Sequence, residues 1–401
     1  MELYNLYERY LRDRKLDISR EEIFLAIEST PSPRLRACFE HILSTRLQQI
    51  TYQSPSCKYL NIAGQLHSAI YLEQICQNSN GLSPFEYQLE QLALAYFDSI
   101  ADLWCEYEIN HIKNKYQKQL NHFSEPIFNN NYDESAYSSQ LIDNVESDLN
   151  HYYTLYFSAP LSLSDAILLS NLCTFIKQHK WYEMLFSLSL STQGTHFILT
   201  TNSASGIPLL VSSARIQYWQ HRDEWLYLSP FFQSRAWTPS IAPHFQQTLE
   251  AQHILRPHSH IDPSSISALD SSLTESIIDK QAICEILRLT ASGNTLQCSF
   301  ILYLAQKHMM ALLYERAFAL GFVVIEQPLM MRYYDSLSDN EYLYTAECNL
   351  QDTGNSTYKG LWIIDKLNQQ LKTTSYKEYK RRVFLQRKQS SAARLEGNRH
   401  G

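Results

Sequence analysis

Apolar residues recur at three- and four-residue spacing through much of the first third of the chain, the period of a helix with one buried face. Leu89, Leu92, Ala93, Tyr96, Phe97, Ile100, Trp104 and Tyr107 form the longest such stripe and predict one helix over about Pro84–Leu120. The same spacing predicts helices at Glu2–Arg14, near Leu35–Thr51 and over Leu60–Gln77. Ser19 followed by Glu22 reads as a capping box, and Asn78-Ser79-Asn80-Gly81 as a stop. A core stripe is the ordinary reading of such a face; a partner-binding surface is the alternative.

Asn121–Asn150 is polar and turn-forming, and reads as a connection. A helix capped by Ser162 or Ser164 follows at about Ser164–Gln178. From His196 the pattern turns dense and β-branched. His196–Thr201 and Pro208–Ile216 read as a hairpin, with a third strand at Trp225–Leu228. Thr238–Ser265, which carries several prolines, reads as a surface loop, and Tyr342–Leu350 and Tyr358–Ile364 as strands about a turn at Asp352-Thr353-Gly354-Asn355. Between them, Gln281–Leu337 predicts a short apolar segment, a helix with Ile301, Leu304, Ala305, His308 and Leu312 on one face, a left-handed cap at Gly321, a strand at Phe322–Ile325, and a short helix at Leu329–Leu337. Strand, helix and strand in this order make a right-handed crossover in a parallel or mixed sheet.

Composition narrows the class of function. A net charge of −7 leaves no polycationic footprint for nucleic acid. No run reaches the roughly 18 apolar residues of a membrane span, and the amphipathic start Met-Glu-Leu-Tyr-Asn-Leu-Tyr has no signal-peptide core. The cytoplasm is therefore expected. Eight cysteines without any Cys-x-x-Cys read as reduced, mostly buried thiols. His258-Ser259-His260-Ile261-Asp262 has no further ligands at metal spacing, so no metal is expected. Walker, dinucleotide and Gly-x-Ser-x-Gly motifs are absent from the sequence. Tyr376–Arg394 is basic; a solvated helix and tail is the plain reading, and a landing site for an acidic carrier protein the sharper one.

Glu-Ile-Leu-Arg at 285–288, then a helix ending in Ala-Leu-Gly-Phe and an apolar strand, resembles the catalytic core of acyl-homoserine-lactone synthases. Pro208–Ile216, with Ala214-Arg215-Ile216 at its end, is similar to that family's strand ending in Ala-Arg-Leu, and Tyr227–Phe232 to the segment after it. The length and the helical first half are closer to the long LuxM/AinS branch than to the short LuxI branch. The resemblance covers about Phe197–Asp365. It implies an α/β (α+β) protein: a helical region over 1–120, a linker over 121–157, a GNAT-like mixed-sheet acyltransferase domain over 158–375, and a basic tail over 376–401.

The implied reaction joins S-adenosylmethionine to an acyl thioester carried by acyl carrier protein or CoA. N-acylation and lactonisation then yield a quorum-sensing autoinducer and methylthioadenosine, with S-adenosylmethionine as substrate and no cofactor. An ammonium has no lone pair, so attack needs a base. Glu285, in an apolar segment that raises a carboxylate's pKa, is the candidate, with Arg288 beside it. Arg215 is a forked donor for the acceptor's carboxylate, and Trp181 and Glu183 are candidates for acceptor binding. The segment before the first long strand, Ser187–Gly194, lacks the carboxylates of the short branch. After Arg288 there is no Arg-x-x-Gly-x-Gly to cradle a CoA pyrophosphate, which points to a carrier-protein donor.

Two other readings remain: a generic GNAT N-acyltransferase on another amine, and a helical scaffold without an active site. Ile278, Ala282, Ile283, Ile286 and Leu287 fit helical spacing as well as strand spacing; periodicity alone favours a helix, on which Glu285 and Arg288 would be an ordinary surface pair, and only the resemblance makes the segment a strand. On a regular strand residues i and i+3 face opposite ways, so a shared pocket requires a bulge.

Overall fold

The computed structural model describes residues 2–13, 18–29, 35–117, 132–203, 205–230, 232–325, 341–350 and 355–385. The chain divides into two units, one of residues 1–123 and 167–191, the other of 124–166 and 192–401.

The first unit is helical: α1 (Leu3–Arg12), α2 (Arg20–Ser29), α3 (Leu35–Gln53), α4 (Ile62–Leu66), α5 (Pro84–Tyr96) and α6 (Ile100–Tyr116), with most of α7 (Leu163–Asn171). The Ser19/Glu22 capping box forms as the sequence predicts, each residue's side chain bonding the other's amide at 3.0 and 3.1 Å. The predicted helix over 84–120 is two helices. Asp98 takes a left-handed φ of 70°, and Ser99 restarts the chain by accepting from the amide of Asp102 at 3.0 Å. The apolar stripe runs on across this break, so periodicity alone cannot reveal it. The predicted helix over 60–77 is likewise interrupted. Helix is kept at Ile62–Leu66 and again from 69 into a π-helical turn at Tyr71–Ile75; between them Ser68 Oγ donates to the Gln65 carbonyl at 2.6 Å and competes with the helical ladder.

A buried ion pair ties this unit together. Arg46 and Glu90 are both fully enclosed. Arg46 Nε donates to Glu90 Oε1 at 2.9 Å and Nη2 to Oε2 at 2.5 Å. Its remaining donors reach Gln49 and the carbonyls of Asn78 and Asn80, and Tyr71 Oη donates to Glu90 at 2.9 Å. A charged pair this deep persists because every donor and acceptor around it is used.

Among the described residues the second unit has ten strands: β1 (Tyr137–Ile142), β2 (His151–Thr154), β3 (Phe157–Ser162), β4 (Thr195–Asn202), β5 (Pro208–Tyr218), β6 (Trp237–Pro239), β7 (Ile283–Leu287), β8 (Leu320–Ile325), β9 (Tyr342–Leu350) and β10 (Asn355–Ile363). Their order is β1-β4-β5-β7-β8-β10-β9-β6, with β2 beside β5 and β3 beside β2. β7 and β8 pair in parallel, and the helix between them in sequence runs from Thr295 to Glu315. This is the predicted strand–helix–strand unit, and the mixed sheet agrees with the fold class the sequence implies. Among the described residues this unit also carries α8 (Phe245–Ala251), α9 (Ile266–Ser276), α10 (Thr295–Glu315) and α11 (Ile364–Thr373), and residues 376–385 are helical too. Among the described residues no helix is long and apolar enough to cross a membrane.

Several local expectations are corrected. Residues 137–142, read as connection, form an edge strand on β4. Trp225–Leu228 is not a strand; Leu226–Leu228 is a 3₁₀ turn, its amides drawn to a side chain described below. The proline-bearing stretch after Thr238 contains α8. The left-handed residue after α10 is Ala317, with φ 62°, whereas Gly321 lies inside β8, where a Cβ would stand 2.7 Å from Ile286 Cδ1. The predicted helix at Leu329–Leu337 and the tail beyond 385 lie outside the described residues.

Gly360 on β10 has even less room, because the Tyr342 ring covers the place a Cβ would occupy. Gly360→Ala is expected to cost about 1–3 kcal/mol by overpacking, read as a lower denaturation midpoint at constant slope. An unchanged midpoint would show that the ring yields freely.

Candidate active site

The pairing of β4, β5, β7 and β8 places a row of polar side chains on one face. His196 stands opposite Arg215, Arg215 opposite Leu287, Gln217 opposite Glu285, and Glu285 opposite Phe322. Directly paired residues share a face and alternate residues of a strand return to it. His196, Arg215, Gln217 and Glu285 therefore line one side of the sheet. The segment around Glu285 is a buried strand, each residue of Ile283–Leu287 enclosed, and not a surface helix.

At the end of β7 the ladder slips by one residue. Leu287 pairs with Arg215, yet Thr290 donates its amide to Ser213 at 2.8 Å and Ser292 to Val211 at 2.9 Å. A regular antiparallel pairing would have set residue 289 against Ser213. Arg288 carries the distortion, with φ 54°. This is the bulge that a shared pocket for Glu285 and Arg288 requires. Past it the chain stays on β5: Ser212 Oγ donates to the Thr290 carbonyl at 2.6 Å and the Ser213 amide to Thr290 Oγ1 at 2.8 Å. On the other side the β7–β8 pairing ends at Ile286 and Val323, while β8 continues beside β10 to Ile325. The two parallel strands thus part where Arg288 is turned.

Glu285 has both oxygens engaged. Oε1 accepts from the Tyr227 amide at 2.6 Å and Oε2 from the Leu226 amide at 3.1 Å, which holds the 3₁₀ turn across the sheet. Burial pushes Glu285 up to about 8, against the pull of those amides and of Arg215 and Lys359. Arg288 is pushed down to about 9 by burial and by Arg215, while Glu285 acts the other way. The three charges thus act on one another. Arg215 is 4% exposed; its Nε donates to the Gln193 carbonyl at 3.0 Å and its Nη2 lies 3.5 Å from Glu224 Oε2.

Behind Tyr227 lies a further buried pair. Lys359 Nζ is 2.7 Å from Asp270 Oδ2, 3.2 Å from the Phe232 carbonyl, and 4.0 Å from the centre of the Tyr227 ring. Burial raises Asp270 to about 6, despite Lys359. The turn that Glu285 grips at 226–227 is held again at 232 by Lys359. Lys359, Gln217 and Glu224 are absent from the sequence-based candidates. The one signal for Lys359 is a lysine inside an apolar strand.

Trp181 and Glu183 belong to the helical unit. Trp181 packs edge-on against Phe175 with ring centres 5.7 Å apart, and Glu183 accepts from the Ile62 amide at 2.7 Å. The start of α10, the place where an acetyltransferase holds a pyrophosphate, is closed by its own side chains. Asn294 Oδ1 accepts from the amides of Leu296 and Gln297, both at 3.1 Å, and Gln297 Oε1 accepts from the Asn294 amide at 2.8 Å. Among the described residues no three His, Cys, Asp or Glu side chains converge as metal ligands.

A sequence profile of acyl homoserine lactone synthases matches residues 22–392. The acyl-homoserine-lactone synthase OpaM of Vibrio parahaemolyticus is 32% identical over 354 residues, 88% of each chain. LuxM of Vibrio harveyi is 36% identical over 309 residues, 77% of each chain. LuxM of Vibrio atlanticus is 35% identical over 357 residues, 88% of this chain and 89% of its own. No solved structure matches.

Proposed function

The chain belongs to the acyl homoserine lactone synthase family, and from that premise we propose that it joins S-adenosylmethionine to an acyl thioester at the parting of β7 and β8. The observation that carries this reading is the one-residue slip that turns Arg288 into the same electrostatic neighbourhood as Glu285 and Arg215. The acceptor's nitrogen attacks the thioester carbonyl. Of the two protons it loses, one ends on the departing sulfur and one in solvent. The acyl-methionine moiety then closes on itself, releasing methylthioadenosine and the lactone.

Glu285 supplies the carboxylate of the site, and its raised pKa suits proton transfer near neutrality. Arg215, anchored at Gln193, offers the acceptor's carboxylate a fixed donor. Main-chain N–H groups on the inner edges of the parting strands favour the tetrahedral oxyanion. Incubation with S-adenosylmethionine and an acyl donor, followed by mass spectrometry, is expected to yield methylthioadenosine and an acyl-homoserine lactone in equal amounts. An acylated amine without methylthioadenosine would instead support a general N-acyltransferase.

The self-capped start of α10 favours a donor that brings no pyrophosphate to that spot, such as the phosphopantetheine arm of acyl carrier protein. At equal chain length, kcat/KM with acyl carrier protein is expected to exceed that with acyl-CoA by about 10-fold, one decade of 1.4 kcal/mol. Equal values would remove this argument for the carrier.

A further inference from the structure

Gln217 is 3% exposed and Arg215 4%, yet each keeps one polar atom, Gln217 Oε1 and Arg215 Nη1, without a hydrogen-bond partner among the described residues. Leaving a buried acceptor or donor unpaired is costly, about 1–3 kcal/mol each. Two such atoms two positions apart on one strand, on the face that carries Glu285, indicate a ligand that completes them.

The orientation of the Gln217 amide is fixed. Its Nε2 donates to Glu224 Oε2 at 3.2 Å, and an ionised carboxylate accepts only, so the nitrogen must face Glu224 and the oxygen must face away. Glu224 also holds Arg215 Nη2. One half-exposed carboxylate therefore sets both side chains, leaving an amide oxygen and a guanidinium N–H unpartnered on one face of the sheet. Their complement is a group with a hydrogen-bond donor next to a carboxylate oxygen, which is the head of an α-amino acid. Gln217 is also the direct cross-strand partner of Glu285, so a nitrogen held at Oε1 sits next to the site's carboxylate.

We propose that Gln217 and Arg215 form an amino-acid head-group site, with Gln217 Oε1 accepting from the acceptor's ammonium and Arg215 Nη1 donating to its carboxylate. This rests on the proposed reaction and adds to it: Gln217 chooses ligands with an α-amine, and Glu224 is the positioning residue that aims it. The bond to Gln217 presents the nitrogen at a fixed place before it loses its proton.

The test uses the full chain and two ligands, S-adenosylmethionine and its des-amino analogue with hydrogen in place of the α-amine, titrated by calorimetry without acyl donor. Wild type is expected to prefer S-adenosylmethionine by about 10- to 100-fold, the range for a hydrogen bond to a charged group. Gln217→Met, similar in length and without the oxygen, is expected to lose that preference. Glu224→Ala, at a half-exposed position, removes the carboxylate that aims the Gln217 amide and is expected to weaken that preference, which guards against a Met variant that fails to fold. If wild type binds both ligands equally, or Gln217→Met folds and discriminates as wild type does, the head-group site is overturned while the synthase reading stands. If wild type binds neither but makes an acylated product from another amine, the synthase reading itself falls, and this site with it.

Discussion

Replacing Glu285 by glutamine is expected to lower kcat by about 100-fold or more, the range lost when a positioned acid–base group is removed. The carboxylate works when ionised, so the wild-type rate climbs as pH rises through about 8, and the variant lacks this limb. The charged neighbours facing it are Arg215 and Lys359, which pull that pKa down, with Arg288 acted on by the same carboxylate and Asp270 paired behind Lys359. Glutamine also strains the fold. Glu285 accepts from two amides, whereas a carboxamide offers one oxygen and turns an NH₂ toward the other N–H. A loss of about 1–3 kcal/mol of stability is expected in addition.

The sign of the pH effect on stability is fixed by the same group. A carboxyl whose folded pKa is raised from 4.5 to about 8 adds stability below the ordinary range, and that contribution fades as pH rises through 8. The glutamine variant has no such term, although Asp270 keeps a weaker one of the same sign that fades by about 6. Rate–pH profiles and unfolding at several pH values separate the two effects. A folded variant with wild-type kcat across the range would exclude Glu285 from the chemistry.

The second large effect lies in the helical unit. Arg46→Met is expected to destabilise it by about 3–5 kcal/mol, because Glu90 is left enclosed with only Tyr71 to answer it. Glu90 already has its pKa raised by burial, so once orphaned it takes up a proton readily, and the loss is smaller at pH 5 than at pH 8. The double variant Arg46→Met/Glu90→Leu removes both charges and is expected to recover most of the deficit. Denaturant unfolding of the two single variants and the double completes the cycle. A double variant whose loss equals the sum of the two single losses would mean that the pair does not couple.

The parts of the fold legible in the sequence are those set by local chemistry. The Ser19/Glu22 cap, the hairpins of β4 with β5 and β9 with β10, and the succession of α10 and β8 follow from short-range patterns. What escaped depends on distant partners. Residues 225–228 look like a strand because they are aromatic and apolar, but their amides are taken by Glu285, some 60 positions away. Periodicity around Ile283–Leu287 favours a helix, and pairing with β5 and β8 makes it a strand. Tyr137–Ile142 has too few apolar residues to announce an edge strand. Within the site, Glu285, Arg288 and Arg215 were visible as charges in apolar runs. Gln217, Glu224 and Lys359 were not, since their significance lies in which atoms they meet or leave unmet.

The slip at Arg288 also sets a reading frame. Every residue from 289 to the start of α10 is one position out of phase with the strand before it, so Thr290 meets Ser213 only because a single extra residue precedes it. Deleting Leu289 would restore even counting with Thr290 still opposite Ser213, and so remove the distortion at Arg288 without altering a single charge. Length, and not only identity, is thus under constraint between Glu285 and Asn294: a shortened variant keeps every side chain the chemistry asks for and loses the turn that sets Arg288.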